Sequence, residues 1–488
     1  MQTLGKPGEA VSLVSSGQGY SLDSFCRRLV MGLLLVGVSS SYLLLSIPRG
    51  QHPVVRYTTE LYALLARSFL LGKTALPIEP RPELVSLPNP YAPEANRKYR
   101  LQDASLFNGR YYLYFGAVPV VTLFLPYRLV TGQDLPNRVA VPIFCIAGYL
   151  SSCALFFLLA AHNRWALPFW LECAVLVSLG SMSQVCLLLR TPAFYQVAIA
   201  AGYFFVMAGF LALARAGTAR GAGKWLLLSG LMFGLAVGCR PHLVVICGIV
   251  LGAFAIRARR SLGLVIALTT GMAVCGIVLG WYNYVRFDDP LEFGRTYQLT
   301  EFSSNPGSTH YGLELNPNAI SRSAEKFLFL PPRVDTSAPF FHTVSINPLP
   351  GRPGPPLWME DMVGLIPAAP LALLGFLMPV FLRGRWIANG LLDAVSAWLL
   401  YAMYWSGVGV FSILCVVGWV LGRYLVDFAP LLTFEGAVLA ALLWRTIPQR
   451  PIKYVYSWGV GAVAIYGAVV NTALAMPSLE KILQFVRR

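Results

Sequence analysis

Residues 224–260 read KWLLLSGLMFGLAVGCRPHLVVICGIVLGAFAIRARR. Two apolar stretches, 225–238 and 243–256, lie between basic ends and are interrupted by Cys239-Arg240-Pro241-His242. A proline lacks the N–H that a helix needs and forces the residue before it out of the helical region, so the run breaks there. Short loops rich in Lys and Arg stay on the cytoplasmic side of a membrane, so the chain leaves at Lys224 and is back by Arg257. Arg240 and His242 then stand at the outer surface.

The rest of the chain belongs to the same solvent. Of 488 residues, 56% are apolar and only 12% charged, with a mean hydropathy of +0.61. The apolar residues fall into about eleven blocks near the ~20 residues needed to cross a bilayer. This composition excludes a soluble enzyme and a disordered chain. The net charge of +16 would suit nucleic acid in a soluble protein, but here the basic residues cluster at the ends of apolar blocks, where anionic lipid explains them, and no nucleic-acid partner is expected. Seven of the nine cysteines sit inside apolar blocks and none forms a C-x-x-C pair, which reads as packing.

The basic loops fix the expected topology. Arg215/Arg220/Lys224, Arg257/Arg259/Arg260, Arg383/Arg385 and Arg445/Arg450/Lys453 are cytoplasmic, so an even number of crossings separates each pair. The spans are predicted at 29–47, 138–161, 167–189, 197–214, 225–238, 243–256, 262–282, 362–382, one crossing within 386–422, 428–444 and 454–476. The domain reading is a cytoplasmic N-terminus 1–28, a single transmembrane unit 29–476 and a tail 477–488. Arg27 and Arg28 precede the first apolar run with no cleavage site after it, which reads as a signal anchor in the cytoplasmic (inner) membrane. Two long loops, 48–137 and 283–360, fall outside. Within the first, Tyr57–Leu71 and the proline-bearing piece Phe115–Leu125, ending at Pro126, are expected to lie on or re-enter the membrane as interfacial helices. The fold class is thus an all-α polytopic membrane protein with about eleven transmembrane helices.

Chemistry at a bilayer surface needs ionisable groups at the mouth of the bundle. The outer side gathers Glu60, Asp103, Arg110, Tyr111, Tyr112, Tyr114, Arg190, Tyr195, Gln196, Arg240, His242, Arg286, Asp288, Asp289, Glu292, Arg295, Arg423 and Asp427. Glu435 and Glu172 are the acids within spans, and Glu435 should face the bundle interior because a carboxylate in lipid is costly. Arg423 and Asp427, four apart at a helix start, are spaced to pair with each other. His242 and His310 have no second His or Cys at ligand spacing, so no metal ligand is assigned, although a divalent cation is left open as a cofactor. No P-loop and no G-x-S-x-G occurs.

The stretch DASLFNGRYYLYFGAVP (103–119) resembles the first-loop signature of bacterial polytopic proteins in the GT-C glycosyltransferase superfamily, in the branch of protein mannosyltransferases and aminoarabinose transferases known as glycosyltransferase family 39. YALLAR (62–67), Arg240-Pro241, YNYVRFDDPLEFG (282–294) and RYLVDFAP (423–430) follow in the expected order. The resemblance implies a large first outer loop with interfacial helices and a catalytic carboxylate facing a lipid-linked sugar. Two positions depart from that pattern. Where the family has an Asp-Glu pair after the first span, this chain has Thr58-Thr59-Glu60, and where a second acid usually stands it has Tyr195-Gln196.

Transfer of a sugar from a polyprenyl phosphate to a hydroxyl needs a base for the hydroxyl proton and cations for the leaving phosphate, for which arginine's planar fork is suited. Asp103 is the first choice for the base and Glu60, by position, the second. Arg110, Tyr111, Tyr112, Gln196, Arg240, Arg423 and Asp427 are the expected substrate-binding residues. For Asp103 the alternative is a loop-ordering role before Phe107-Asn108-Gly109, and for Arg240 a headgroup contact. The expected partners are a polyprenyl-phosphate-linked sugar and membrane lipid. A non-catalytic relative or a transporter of lipid-linked sugars on the same bundle is the other reading.

Overall fold

A computed structural model describes residues 22–47, 60–218, 220–258, 261–300, 315–336, 338–344, 358–359, 361–382, 389–417 and 419–476. The expectations for residues 1–21, Thr58-Thr59, Arg259, Arg260, His310, Arg383, Arg385 and the tail 477–488 lie outside these residues.

Among the described residues, α-helices of five residues or more occupy every predicted span, two of them in broken form, and some further stretches. In chain order these are α1 (Leu22–Leu45), α2 (Leu61–Leu70), α3 (Leu125–Thr131), α4 (Asn137–His162), α5 (Phe169–Ser181), α6 (Cys186–Arg190), α7 (Phe194–Thr218), α8 (Ala222–Cys239), α9 (Val244–Arg257), α10 (Leu262–Phe287), α11 (Pro317–Phe329), α12 (Leu371–Phe381), α13 (Ala394–Val417), α14 (Ala429–Thr446) and α15 (Arg450–Ala475). Among the described residues, seven are long and apolar enough to cross a membrane: α1, α4, α7, α8, α10, α13 and α15. The chain is a multi-pass membrane protein. Among the described residues, strands are confined to two-residue pairings and one hairpin, β1 (Ala104–Phe107) with β2 (Arg110–Leu113).

Several boundaries differ from the sequence reading, each for a physical reason. Helix α1 starts at Leu22 rather than Leu29 and carries Arg27 on its first turns, where the guanidinium binds Glu172 of α5. The acid is thereby satisfied without facing lipid. The piece 115–125 does not end at Pro126. A π-helical turn, Val120–Phe124, precedes α3, and Pro126 sits in the first turn of α3, where a missing N–H costs little. The helix closes at Gly132, in the left-handed conformation.

Two predicted spans are broken. The stretch 167–189 divides into α5 and α6, with Gln184 at φ +63° between them. At membrane depth the freed backbone needs partners. The Gly180 carbonyl accepts the Tyr42 hydroxyl at 2.5 Å, and the Met182 carbonyl accepts Thr433 Oγ1 at 3.2 Å. The stretch 362–382 is interrupted before Pro370, leaving a single turn, Leu365–Ala368, ahead of α12. Asn471 of α15 holds both breaks: its Nδ2 donates to the Ala368 carbonyl at 2.7 Å, and its Oδ1 accepts from Gln184 Nε2 at 3.1 Å.

Lipid gives helices little hydrophobic reason to associate, so close packing must hold them. Where α8 crosses α10, a Cβ on Gly230 would stand 2.1 Å from the Leu268 carbonyl oxygen, and one on Gly271 would stand 2.3 Å from that of Leu227. Helices α12 and α14 meet the same way, through Gly375 and Gly436.

The two long loops join at one end of this bundle. Asp103 N–H donates to the Leu299 carbonyl at 2.8 Å, Leu299 N–H to the Ala104 carbonyl at 2.9 Å and Leu106 N–H to the Tyr297 carbonyl at 2.9 Å. The segment after α10 therefore extends the β1–β2 hairpin by one edge. Arg286 pins the hairpin from the other side: fully buried, it donates to the Leu113 carbonyl at 2.5 Å and to Asn283 Oδ1 at 2.6 Å.

Candidate functional site

The hairpin turn is Asn108-Gly109, with φ +48° and +68°. Two consecutive residues at positive φ make the tight turn whose twist matches paired strands. The turn fixes the register, Ala104 opposite Leu113 and Phe107 opposite Arg110, and so sets where Asp103 and Tyr114 emerge at the hairpin's base. Both line a cavity of about 580 Å³. The chain then turns at Gly116, which packs on the last turn of α8. A Cβ there would fall 1.7 Å from the Gly238 carbonyl oxygen, so only glycine brings Phe115 to the cavity wall beside Arg240.

Arg240 follows α8 in extended conformation, φ −144° and ψ 111°, as the residue before Pro241 must. Its guanidinium is buried, lies 3.2 Å from Oδ2 of Asp427 and stacks 4.8 Å from the Tyr424 ring. His242 Nε2 lies 3.3 Å from the same carboxylate oxygen. Asp427 and Arg423 come from a single 3-10 segment, Gly422–Asp427, that leads into α14. The expected Arg423–Asp427 pair is therefore corrected. In a 3-10 turn the two side chains diverge, Asp427 turning under Arg240 and His242 while Arg423 lies 4.5 Å from the Tyr195 ring.

Asp103 is half-buried among these groups. Gln298 Nε2 donates to its Oδ1 at 3.3 Å, and the polar ends of Tyr195 and Gln102 face its carboxylate. Burial pushes its carboxyl above the usual carboxylate range, against the opposing pull of the Tyr195 and Gln102 hydrogen bonds and of the Arg423 and Arg100 charges. Tyr114 next to it is pushed up by burial and then by the Asp103 charge. Phe115 and Tyr195, edge to face at 5.7 Å, with Trp419 and Tyr424, give the cavity aromatic walls. Among the described residues, no three of His, Cys, Asp and Glu converge as metal ligands would.

The structure thus brings together Asp103, Arg240 and Arg423 at one cavity, with Asp427 directly behind Arg240. It does not bring in Glu60, Arg110, Tyr111, Tyr112, Gln196 or Glu435. Glu60 accepts the Asn137 N–H at 2.8 Å and so closes the first turn of α4, its carboxyl raised by burial. Arg110 is exposed at the hairpin tip, and Tyr111 and Tyr112 are buried on its two faces, Tyr112 packing 5.4 Å from Phe287. Gln196 reaches back to accept the Ala193 N–H at 3.3 Å, capping α7. Glu435 is fully buried in α14, away from the cavity lining. Gln102, Gln298, Trp419 and Tyr424 line the cavity without having been singled out. The apolar alternation around Asn108-Gly109 could have revealed the hairpin, but nothing in the sequence marks Gln298, which arrives by pairing of a distant loop.

No protein-family model matches the chain, and no curated protein does. Solved structures do match. The apo crystal structure of the Archaeoglobus fulgidus oligosaccharyltransferase aligns with a TM-score of 0.50 at 11% identity, over 90% of this chain and 55% of that one. The fold is of the GT-C type. The same archaeal protein tethered to an acceptor peptide containing the NVT sequon gives 0.47 at 12% identity, over 91% and 55%. AglB from that organism with an inhibitory peptide and a dolichol-phosphate gives 0.41 at 11%, over 90% and 55%. The chain spans about half the length of the structures it matches. At this identity the likeness concerns the fold alone.

Proposed function

We propose that this chain is a membrane glycosyltransferase that moves a sugar from a polyprenyl-phosphate donor to an acceptor at the extracytoplasmic face, in the manner of the family 39 branch that residues 103–119 and 423–430 resemble. The observation that carries the reading is the cavity, where the half-buried carboxylate of Asp103 shares a wall with the guanidiniums of Arg240 and Arg423, while the second lining carboxylate, Glu292, is engaged by the Gly294 N–H and the Thr296 hydroxyl. A carboxylate with a raised pKa suits a base that must accept a hydroxyl proton. Two guanidiniums beside it suit a leaving phosphate, and the aromatic walls suit the faces of a sugar ring. Arg240 is too buried to be a snorkelling residue, and its paired carboxylate holds the guanidinium in place.

The test is transfer of radiolabelled sugar from a panel of polyprenyl-phosphate donors to envelope acceptors, in membranes carrying the wild-type chain or Asp103→Asn. Asparagine keeps the shape and most of the hydrogen bonding. A positioned base contributes roughly a hundred- to ten-thousand-fold, so transfer should fall by about that factor while the protein is inserted at wild-type level. Near-normal transfer by Asp103→Asn would remove Asp103 as the base. Absence of transfer from every donor by the wild type would favour a non-catalytic carrier.

A further inference from the structure

His242 lines the cavity, and its place there follows from the break in the helix pair that carries it. Pro241 starts a single 3-10 turn, Pro241–Leu243, so the imidazole projects from the link between α8 and α9 rather than from either helix face. Its Nε2 is 3.3 Å from Asp427 Oδ2. The Asp427 side chain is closed off at 1% accessibility while 20% of the His242 side chain remains open, so the carboxylate sits behind the ring and the cavity in front. With Nε2 buried against Asp427, Nδ1 is the ring nitrogen that remains to serve the cavity. The charged groups that face the imidazole are Asp427, from the 3-10 segment before α14, and Arg240, from the end of α8. A buried carboxylate behind an imidazole fixes its orientation and favours the imidazolium; here it works against burial, which is the larger effect and, with the Arg240 charge, lowers the ring's proton affinity until an anion enters the cavity.

We propose that His242, oriented by Asp427, is the general acid that protonates the phosphate oxygen as it leaves the sugar. The inference rests on the glycosyl-transfer reading above. In the step, the acceptor oxygen forms a bond to the anomeric carbon and its proton goes to Asp103. The bond from that carbon to the phosphate oxygen breaks, its electron pair stays on the oxygen, and the oxygen takes the proton from Nδ1 of the imidazolium. Polyprenyl phosphate departs as the monoanion, and His242 is left neutral with its Nε2–H toward Asp427. Water then returns a proton to His242 and accepts one from Asp103, so the cycle closes with no other reactant.

A phosphate beside an imidazole must raise the ring's affinity for a proton, and this can be read without knowing the sugar. The full chain, labelled with 15N-histidine and held in nanodiscs, carries only five histidines, and the His242 resonance is assigned by its loss in His242→Asn. Farnesyl phosphate is the probe. Its binding should move the titration midpoint of His242 to higher pH, by a factor of about ten in proton affinity or more, and Asp427→Asn should move it to lower pH. In the transfer assay His242→Asn should lose roughly a hundredfold or more in rate together with the alkaline limb of the pH profile. If farnesyl phosphate binds without moving the His242 midpoint, the inference fails and the glycosyl-transfer reading stands. If it does not bind at all, that reading fails first and takes the inference with it.

Discussion

Asp103 holds its carboxylate from a backbone at φ +62°, a left-handed position that few side chains other than Asn and Asp accept readily. The substitution Asp103→Asn is therefore a clean test, since the replacement tolerates the same backbone. The carboxyl is raised by burial and lowered by the Tyr195 hydroxyl, and the balance gives a second prediction. A base works only when deprotonated, so the acidic limb of the rate profile follows the Asp103 pKa. Removing the hydroxyl in Tyr195→Phe takes away a group that favours the charged form, so the limb should move to higher pH; a limb that stays or moves down would show that Asp103 is not the titrating base. Glu60→Gln is the contrasting case. Its oxygen contacts the Asn137 N–H and not the cavity, so transfer should stay near wild type, and a collapse of transfer would restore Glu60 as the base. The sequence made both acids visible, because acids are few in an apolar chain. It could not separate them, because a carboxylate capping a helix and one facing a cavity look alike until distant elements are placed.

At the scale of elements, the site depends on how closely the hairpin's exit strand approaches α8. The glycine pair Gly116 and Gly238 sets that distance, and the Gly238 side is further closed by Val118, whose Cγ2 lies 2.5 Å from where a Cβ would be. The atom facing Gly116 is backbone and cannot swing aside. Gly116→Ala should therefore cost about 1–3 kcal/mol as an overpacked contact and displace Phe115 from the cavity wall. A lower unfolding temperature together with weakened farnesyl-phosphate binding is the expected result. Gly248→Ala, where nothing lies within 4 Å, is the control that should leave both unchanged. Helix positions were readable because apolar runs and prolines declare them, as at Arg240-Pro241. The breaks at 181–185 and at Ala369 were not, since they rest on side chains such as Asn471, Thr433 and Tyr42 that supply hydrogen bonds from elsewhere in the bundle.

Across the whole molecule, the parity of basic loops sorted residues into two groups, and contacts sort them the same way. Asp103, Tyr195, Arg240, Arg295 and Arg423, assigned to one side, line one cavity. The loop His162-Asn163-Arg164, which the same parity puts inside between the spans 138–161 and 167–189, meets Arg445 of another inside loop at the far end: Arg445 donates to the Arg164 carbonyl at 3.0 Å, while Asn163 accepts the Asp393 N–H at 2.7 Å and His162 lies 3.5 Å from Asp393. Contacts alone leave open which end faces the cytoplasm, and the positive-inside rule assigns the cavity to the outside. Single cysteines at Pro90 and Leu315, in a background lacking the exposed Cys26, decide the matter with a membrane-impermeant thiol reagent. Both should label in intact cells, and Arg164→Cys should label only after lysis. Labelling of Arg164→Cys in intact cells, with the other two protected, would invert the molecule and place the cavity, with Asp103 and its arginines, on the cytoplasmic side. The donor would then have to present its sugar from within the cell, and the extracytoplasmic part of the proposed reaction would be wrong while the chemistry of the cavity kept its geometry.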